Sequence, residues 1–267
     1  MSRTAIIAGT GALPAALIAA MQERPMICAV EGFAPEGLVP DQSFRIERLV
    51  VFLRWLEVQG VSRVCFAGAV QRPRLDPSLF DPATAQMVPR LLAAMQGGDD
   101  ATLRAVLGIF EEAGFTVAGI PQIAPDLVPK AGLLAGALSA QDEVDAARAA
   151  RIVAALGAVD VGQACVVVQG QCLAVEALPG SDAMLAQVAG IGRLRPDPAQ
   201  GRGLFYKATK PGQDLRIDLP TIGPATIVAA SKAGLGGVAF QAGAVICLDL
   251  PAMQTRARDL GLFLWAR

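Results

Sequence analysis

The opening thirty residues constrain the fold more than any other stretch. Residues 5–8 (Ala-Ile-Ile-Ala) form a short apolar run, Gly9-Thr10-Gly11 is a tight turn, and residues 12–21 carry Leu13, Leu17 and Met21 on one helical face. A second apolar run follows at residues 26–30. Strand, helix and strand at this spacing make a βαβ unit, and a chain that begins so is committed to a parallel sheet covered by helices.

The alternation continues. Asp41 or Ser43 can cap a helix reaching Gln59, residues 63–67 read as a third strand, and residues 85–95 and 99–113 read as helices parted by Gly97-Gly98. Residues 115–120 supply a fourth strand. The region 121–139 has three prolines and no strong period, so the expected division is a Rossmann-like three-layer domain over 1–130, a linker at 131–138, and a mixed α/β domain over 139–267. Ser139 and Asp142 form a capping box for a helix closed by Gly157. Residues 164–168 and 172–176 flank Gly170 as a hairpin, and a short helix starts at Ser181. Strands are then expected at 205–208, 215–219, 237–240, 244–248 and 262–265, with helices at 224–233 and 253–260. A chain of 267 residues suits two domains.

Composition narrows the chemistry. The chain has no histidine, which removes His-based triads, His general bases and His-ligated zinc together. Any metal is then expected on carboxylate and carbonyl oxygens, which suits a hard cation such as Mg²⁺. The net charge of -1 offers no basic field for nucleic acid. Five cysteines, all within apolar β-like runs and none in a C-x-x-C pair, read as reduced thiols of a cytoplasmic protein. Residues 4–21 resemble a signal peptide only superficially, because Gly9, Gly11 and Pro14 interrupt the apolar run.

Several stretches can carry chemistry, each with a plainer alternative. Gly9-Thr10-Gly11-Ala12-Leu13-Pro14 resembles a dinucleotide turn, with Glu31 after the second strand as a ribose acid, but Pro14 stands where a third glycine belongs. The turn can contact phosphate or simply join strand to helix. A nicotinamide-dependent reductase is the alternative enzyme, and a lipid or nucleotide carrier the alternative outside catalysis. Gln71 and Arg72 follow the third strand, where Arg72 can clamp a phosphate or sit solvated in its loop. Asp99 and Asp100 open a helix, as caps or as a metal or sugar site. Glu176 and Asp182 lie at the end of the apolar hairpin, as an oxygen-ligand pair or as an edge carboxylate and a first-turn acid. Asp218 alternates with Leu215, Ile217 and Leu219 just before Pro220. That places it on one face of a strand with Arg216, near Lys207 and Lys210, either to neutralise phosphate with a metal or to cap the amides near Thr221.

The motifs Gly-Thr-Gly-Ala-Leu-Pro at 9–14, Gly-Asp-Asp at 98–100, Asp-Val-Gly-Gln at 160–163, Ala-Val-Glu-Ala at 174–177, Gly-Ser-Asp-Ala-Met-Leu at 180–185 and Lys-Pro-Gly-Gln-Asp-Leu-Arg-Ile-Asp-Leu-Pro-Thr-Ile-Gly at 210–223 resemble the LpxI-type UDP-2,3-diacylglucosamine pyrophosphatases of lipid A biosynthesis. The resemblance covers nearly the whole chain. It implies two domains with a lipid-sugar phosphate between them, a homodimer, and Mg²⁺-dependent hydrolysis of the UDP-sugar to UMP and 2,3-diacylglucosamine 1-phosphate, at the cytoplasmic face of the inner membrane and peripheral to it. Asp218 matches the family's key aspartate, whereas Ala69 stands where a polar residue is expected. On this basis Asp218 is expected to bind Mg²⁺ and water, with Glu176 and Asp182 as partners. Thr10, Gly11, Ala12, Leu13, Gln71, Arg72, Asp99, Asp100, Gln163, Ser181, Lys207, Arg216 and Thr221 are expected to contact substrate.

Overall fold

The computed structural model describes residues 3–71, 74–96 and 99–267, without the side chains of Asp99, Asp100 and Arg193. The chain divides into two compact units, one of Met1–Pro125 with Asp214–Asp218 and one of Asp126–Gln213 with Leu219–Arg267.

The N-terminal unit contains β1 (Arg3–Ala8), α1 (Leu13–Ala19), β2 (Met26–Val30), β3 (Gln42–Phe44), α2 (Leu49–Val58), β4 (Val61–Ala67), α3 (Pro82–Ala85), α4 (Val88–Gln96), α5 (Asp99–Glu112), β5 (Thr116–Val117) and α6 (Ile120–Ile123). Its strands form a parallel sheet in the order β3-β2-β1-β4-β5. Ala5, Ile7, Cys28 and Val64 on the sheet pack with Phe52, Leu53 and Leu56 of α2, Leu91 of α4 and Phe110 of α5. Every residue of β2 is buried, as expected for a parallel strand covered on both faces.

Two sequence expectations change here. The helix expected from residue 43 begins only at Leu49, because Gln42–Phe44 is captured as a parallel edge strand by β2 and Arg45 stays extended. The strand expected at 115–120 is cut to Thr116–Val117, since Gly119 and Pro121 start the short helix α6.

The C-terminal unit contains β6 (Gly132–Ala135), α7 (Ala140–Ala158), β7 (Ala164–Val168), β8 (Gln171–Val175), α8 (Gly180–Ala189), β9 (Leu204–Lys207), β10 (Thr221–Ile222), α9 (Pro224–Lys232), β11 (Gly237–Phe240), β12 (Ile246–Cys247), α10 (Leu250–Asp259) and β13 (Phe263–Ala266). A mixed six-stranded sheet runs β6-β13-β11-β9-β7-β8, with β9, β11 and β13 parallel and β6, β7 and β8 joined to it by antiparallel pairings. Alternation divides its side chains between two cores. Cys165, Val167, Leu204, Tyr206 and Phe263 face Ala146, Ala149 and Val153 of α7. Val166, Phe205, Val238, Phe240 and Leu264 face Leu185 of α8, Ile227 of α9 and Met253 of α10. The unit is therefore three layers deep.

The Ser139–Asp142 capping box forms as expected, each residue bonding the other's backbone amide. The hairpin β7–β8 turns through Gln169 and Gly170, both at positive φ, and the fully buried Asp145 of α7 accepts both of their amides at 2.8 and 2.7 Å. The stretch 131–138, read from sequence as a connector, carries β6, paired to β13. Residues 244–248 give only the two-residue β12, which pairs with β10 in a separate small sheet.

Burial pushes the Cys28, Cys65 and Cys247 thiols up to about 12, so they are packing residues rather than thiolates. Cys172 is exposed, and none of the five is in a disulfide.

Candidate active site

In the N-terminal unit the strand order reverses direction between β1 and β4, and the loops after these two strands define the crevice where an open α/β sheet takes its ligand. The two loops are stitched together. Thr10 and Ala69 exchange both backbone bonds, at 2.9 and 3.0 Å, and the Thr10 hydroxyl also donates to the Ala69 carbonyl at 3.0 Å. A Cβ on Gly9 would lie 2.5 Å from the Ala69 oxygen, and one on Gly68 would lie 2.6 Å from the Gly9 oxygen. Both glycines are thus required by close backbone approach. Because the tie at residue 69 is made by main chain, the side chain there does not decide it.

Gly11, at positive φ, Ala12 and Leu13 follow β1 and Gln71 follows β4, with Ala12 and Gln71 exposed. Arg72 lies outside the described residues. Asp99 and Asp100 are the first two residues of α5, and their side chains also lie outside the description. Glu31, which a nicotinamide-nucleotide reading needs at a ribose, accepts Arg45 Nη1 at 2.9 Å.

Asp218 belongs to the same unit. Its surroundings correct the expectation of a strand at 215–219: residues 215–217 form a turn. The Asp214 carboxylate accepts the Arg216 amide at 3.0 Å, and the Asp214 carbonyl accepts the amides of Ile217 and Asp218 at 3.2 and 3.3 Å. An aspartate that bonds to the backbone two residues ahead offers the chain an alternative to a strand ladder, and no strand among the described residues pairs with this stretch. Arg216 and Asp218 therefore share a turn rather than a strand face.

The Arg216 guanidinium reaches Asp214 through Nε at 3.0 Å and Nη2 at 2.7 Å, and Glu111 of α5 through Nη1 at 2.6 Å. Hydrogen bonds from Arg216 hold the Asp214 carboxyl below the usual carboxylate range, and those with Asp214 and Glu111 raise the Arg216 pKa. The half-buried Ile217 packs on the unit's core.

In the C-terminal unit, sheet register assembles a second cluster. Ala164 of β7 lies opposite Lys207 of β9, and Cys165 opposite Val175 of β8, so Gln163, Glu176 and Lys207 meet at one end of the sheet. Lys207 Nζ donates to Glu176 Oε2 at 3.1 Å and to Ser181 Oγ at 2.7 Å, and the Ser181 hydroxyl donates to the same Glu176 oxygen. Glu176 also accepts the Gln163 amide at 3.3 Å, while Gln163 Oε1 is buried without a partner. Gly162 backs Glu176 so closely that no Cβ fits there.

Asp182 is exposed in the first turn of α8, where a carboxylate complements the helix dipole. Lys210 Nζ pairs with Asp160 at 2.6 Å, and Thr221 lies in β10, its hydroxyl 3.4 Å from the Leu219 carbonyl oxygen. Gly223 and Pro224 start α9 as the sequence suggested.

Sequence reasoning therefore found Gln163, Glu176, Ser181 and Lys207, which the structure brings together. It grouped Asp218 with Glu176 and Asp182, which the fold assigns to different units. It missed Glu111, Asp214 and Asp145. Asp214 had a signal, an aspartate two residues before Arg216; Glu111 and Asp145 look like ordinary helix-surface acids. Among the described residues no three His, Cys, Asp or Glu side chains converge as a metal site. A cation here would need oxygen donors beyond a cluster of protein carboxylates.

Known proteins share this pattern along the whole chain. The LpxI N-terminal domain matches residues 3–127 and the LpxI C-terminal domain residues 130–265. The UDP-2,3-diacylglucosamine pyrophosphatase LpxI of Caulobacter vibrioides (strain ATCC 19089 / CIP 103742 / CB 15) is 37% identical over 274 residues, covering 98% of this chain and 96% of that protein. Both matched domains, in the same order, and a relative aligned from end to end place this chain in the LpxI family.

Proposed function

We propose that this protein hydrolyses the pyrophosphate of UDP-2,3-diacylglucosamine, giving UMP and 2,3-diacylglucosamine 1-phosphate. The observation that carries the proposal is the end-to-end match to a relative bearing that activity in its name. In the reaction, water adds to one phosphorus and the bridging P–O bond breaks, leaving two phosphate monoesters; with both fully ionised, the two protons of water are released.

The residues support this chemistry. A chain without histidine needs oxygen ligands and backbone dipoles to handle a pyrophosphate. Asp218 is the carboxylate assigned to orient the attacking water. Mg²⁺, held by Asp218 and by phosphate oxygens, would supply charge neutralisation. Gly11, Ala12, Leu13 and Gln71 are assigned to the sugar nucleotide. Glu176, Ser181 and Lys207 fix the start of α8, with Asp182 beside it. The protein acts on its lipid substrate as a homodimer, peripherally at the inner-membrane surface; no helix among the described residues is long and apolar enough to cross a membrane.

The decisive assay incubates purified protein with the UDP-lipid and Mg²⁺, with and without chelator. UMP release that stops on chelation is expected. No UMP under any condition would reduce the protein to a carrier, and UMP release indifferent to chelator would remove Mg²⁺.

A further inference from the structure

Residues 214–218 belong to the N-terminal unit, yet the chain on both sides of them belongs to the other one. Between Pro125 and Asp214 lies the whole stretch Asp126–Gln213, so no short covalent path ties this turn to the unit it sits on. Its place is set by non-covalent contacts. Ile217 is packed on the unit's core. Gly119 lets the turn come close, since a Cβ there would lie 3.1 Å from Arg216 Cα and 3.3 Å from the Leu215 oxygen. Arg216 makes one polar contact. Its Nε and Nη2 are occupied within the turn by Asp214, whereas Nη1 reaches out to Glu111 on α5.

We infer that Glu111 is a positioning residue: through Arg216 it holds the turn that carries Asp218 against α5. This rests on the reading of Asp218 as the carboxylate at the reacting phosphate. It also reassigns Arg216, whose guanidinium is shared between two carboxylates, from substrate phosphate to the clasp. The bidentate pair with Asp214 fixes the direction of the guanidinium, so its remaining Nη1 points one hydrogen bond at Glu111 Oε1 and ties that fixed group to α5. Displacing a reacting group by about 1 Å costs rate on the order of 10²-fold without weakening substrate binding elsewhere.

The test is steady-state kinetics on the full chain with the UDP-lipid and Mg²⁺, comparing Glu111→Gln, Gly119→Ala and Asp218→Asn with the parent protein. Glu111→Gln is expected to lower kcat on the order of 10-fold with KM within about twofold, part of the roughly 10²-fold available from misplacement. Gly119→Ala, which displaces the same turn by steric contact, is expected to give the same kcat-only loss, and it serves if the first variant folds poorly. If Arg216 holds substrate phosphate instead, Glu111→Gln frees the guanidinium, so kcat holds while KM stays or falls; that result overturns the inference. Asp218→Asn separates the two layers. Loss of turnover there with normal Glu111→Gln and Gly119→Ala kinetics rejects the positioning role alone. Retained turnover in Asp218→Asn rejects the reading of Asp218 and the inference with it.

Discussion

Lys207 Nζ lies 3.1 Å from Glu176 Oε2, with the two side chains only 9% and 8% exposed, and the Ser181 hydroxyl bonds to both. The pair is buried at the sheet end where β7, β8 and β9 meet the start of α8. Each charge is compensated by the other, and neither tolerates the loss of its partner.

Glu176→Ala should therefore destabilise the protein by roughly 3–5 kcal/mol, because it leaves an uncompensated buried ammonium. The double variant Glu176→Ala with Lys207→Met should recover much of that loss. Urea unfolding of both single variants and the double variant gives the coupling. A purely additive result would show that the two side chains do not act as a pair.

Asp218→Asn preserves shape and removes the charge. Turnover is expected to fall on the order of 10²-fold or more, the usual effect of losing a group that stabilises transition-state charge. The thermal midpoint should be nearly unchanged. A comparable fall in stability would make Asp218 a structural residue.

Asp214 provides a pH signature. Its folded-state pKa is depressed by Arg216, so its contribution to stability is complete above its unfolded value, about 3.9, and is lost as pH falls through the folded value. The difference in urea midpoint between the parent protein and Asp214→Asn should be constant near neutral pH and shrink below about pH 4. A difference that persists in acid would exclude the ion pair as its source.

Gly9→Ala should disrupt the bridge between the loops after β1 and β4, because the added methyl lies 2.5 Å from the Ala69 oxygen and can be relieved only by backbone movement. A loss on the order of 1–3 kcal/mol is expected. Gly11→Ala is strained by its positive φ but meets no atom within 4 Å, so it should be the milder change. Chemical unfolding of the two variants ranks them, and equal effects would show that φ rather than close approach governs this turn.

The family was readable from sequence because its longest motifs, at 180–185 and 210–223, are continuous in the chain. The cluster of Glu176, Ser181 and Lys207 was readable in part, since a hairpin and the helix after it must lie close together. The clasp of Arg216 with Glu111 was not. Those residues are 105 positions apart, and nothing in the local pattern of either demands the other.

The stretch 210–223 shows where the division falls. Sequence alone determined its residue types and one boundary: the absence of histidine, the charged residues around Asp218 and the helix start at Pro224. It also determined the βαβ opening, because strand burial and helix periodicity are local properties. Tertiary structure decided that residues 215–217 turn instead of extending, and that this turn belongs to the N-terminal unit. The physical reason is that alternation states only which side chains share a face if a strand forms. A strand also needs a neighbour for its hydrogen bonds; here Asp214 supplies the acceptors, and Glu111 and Gly119 fix where the turn rests.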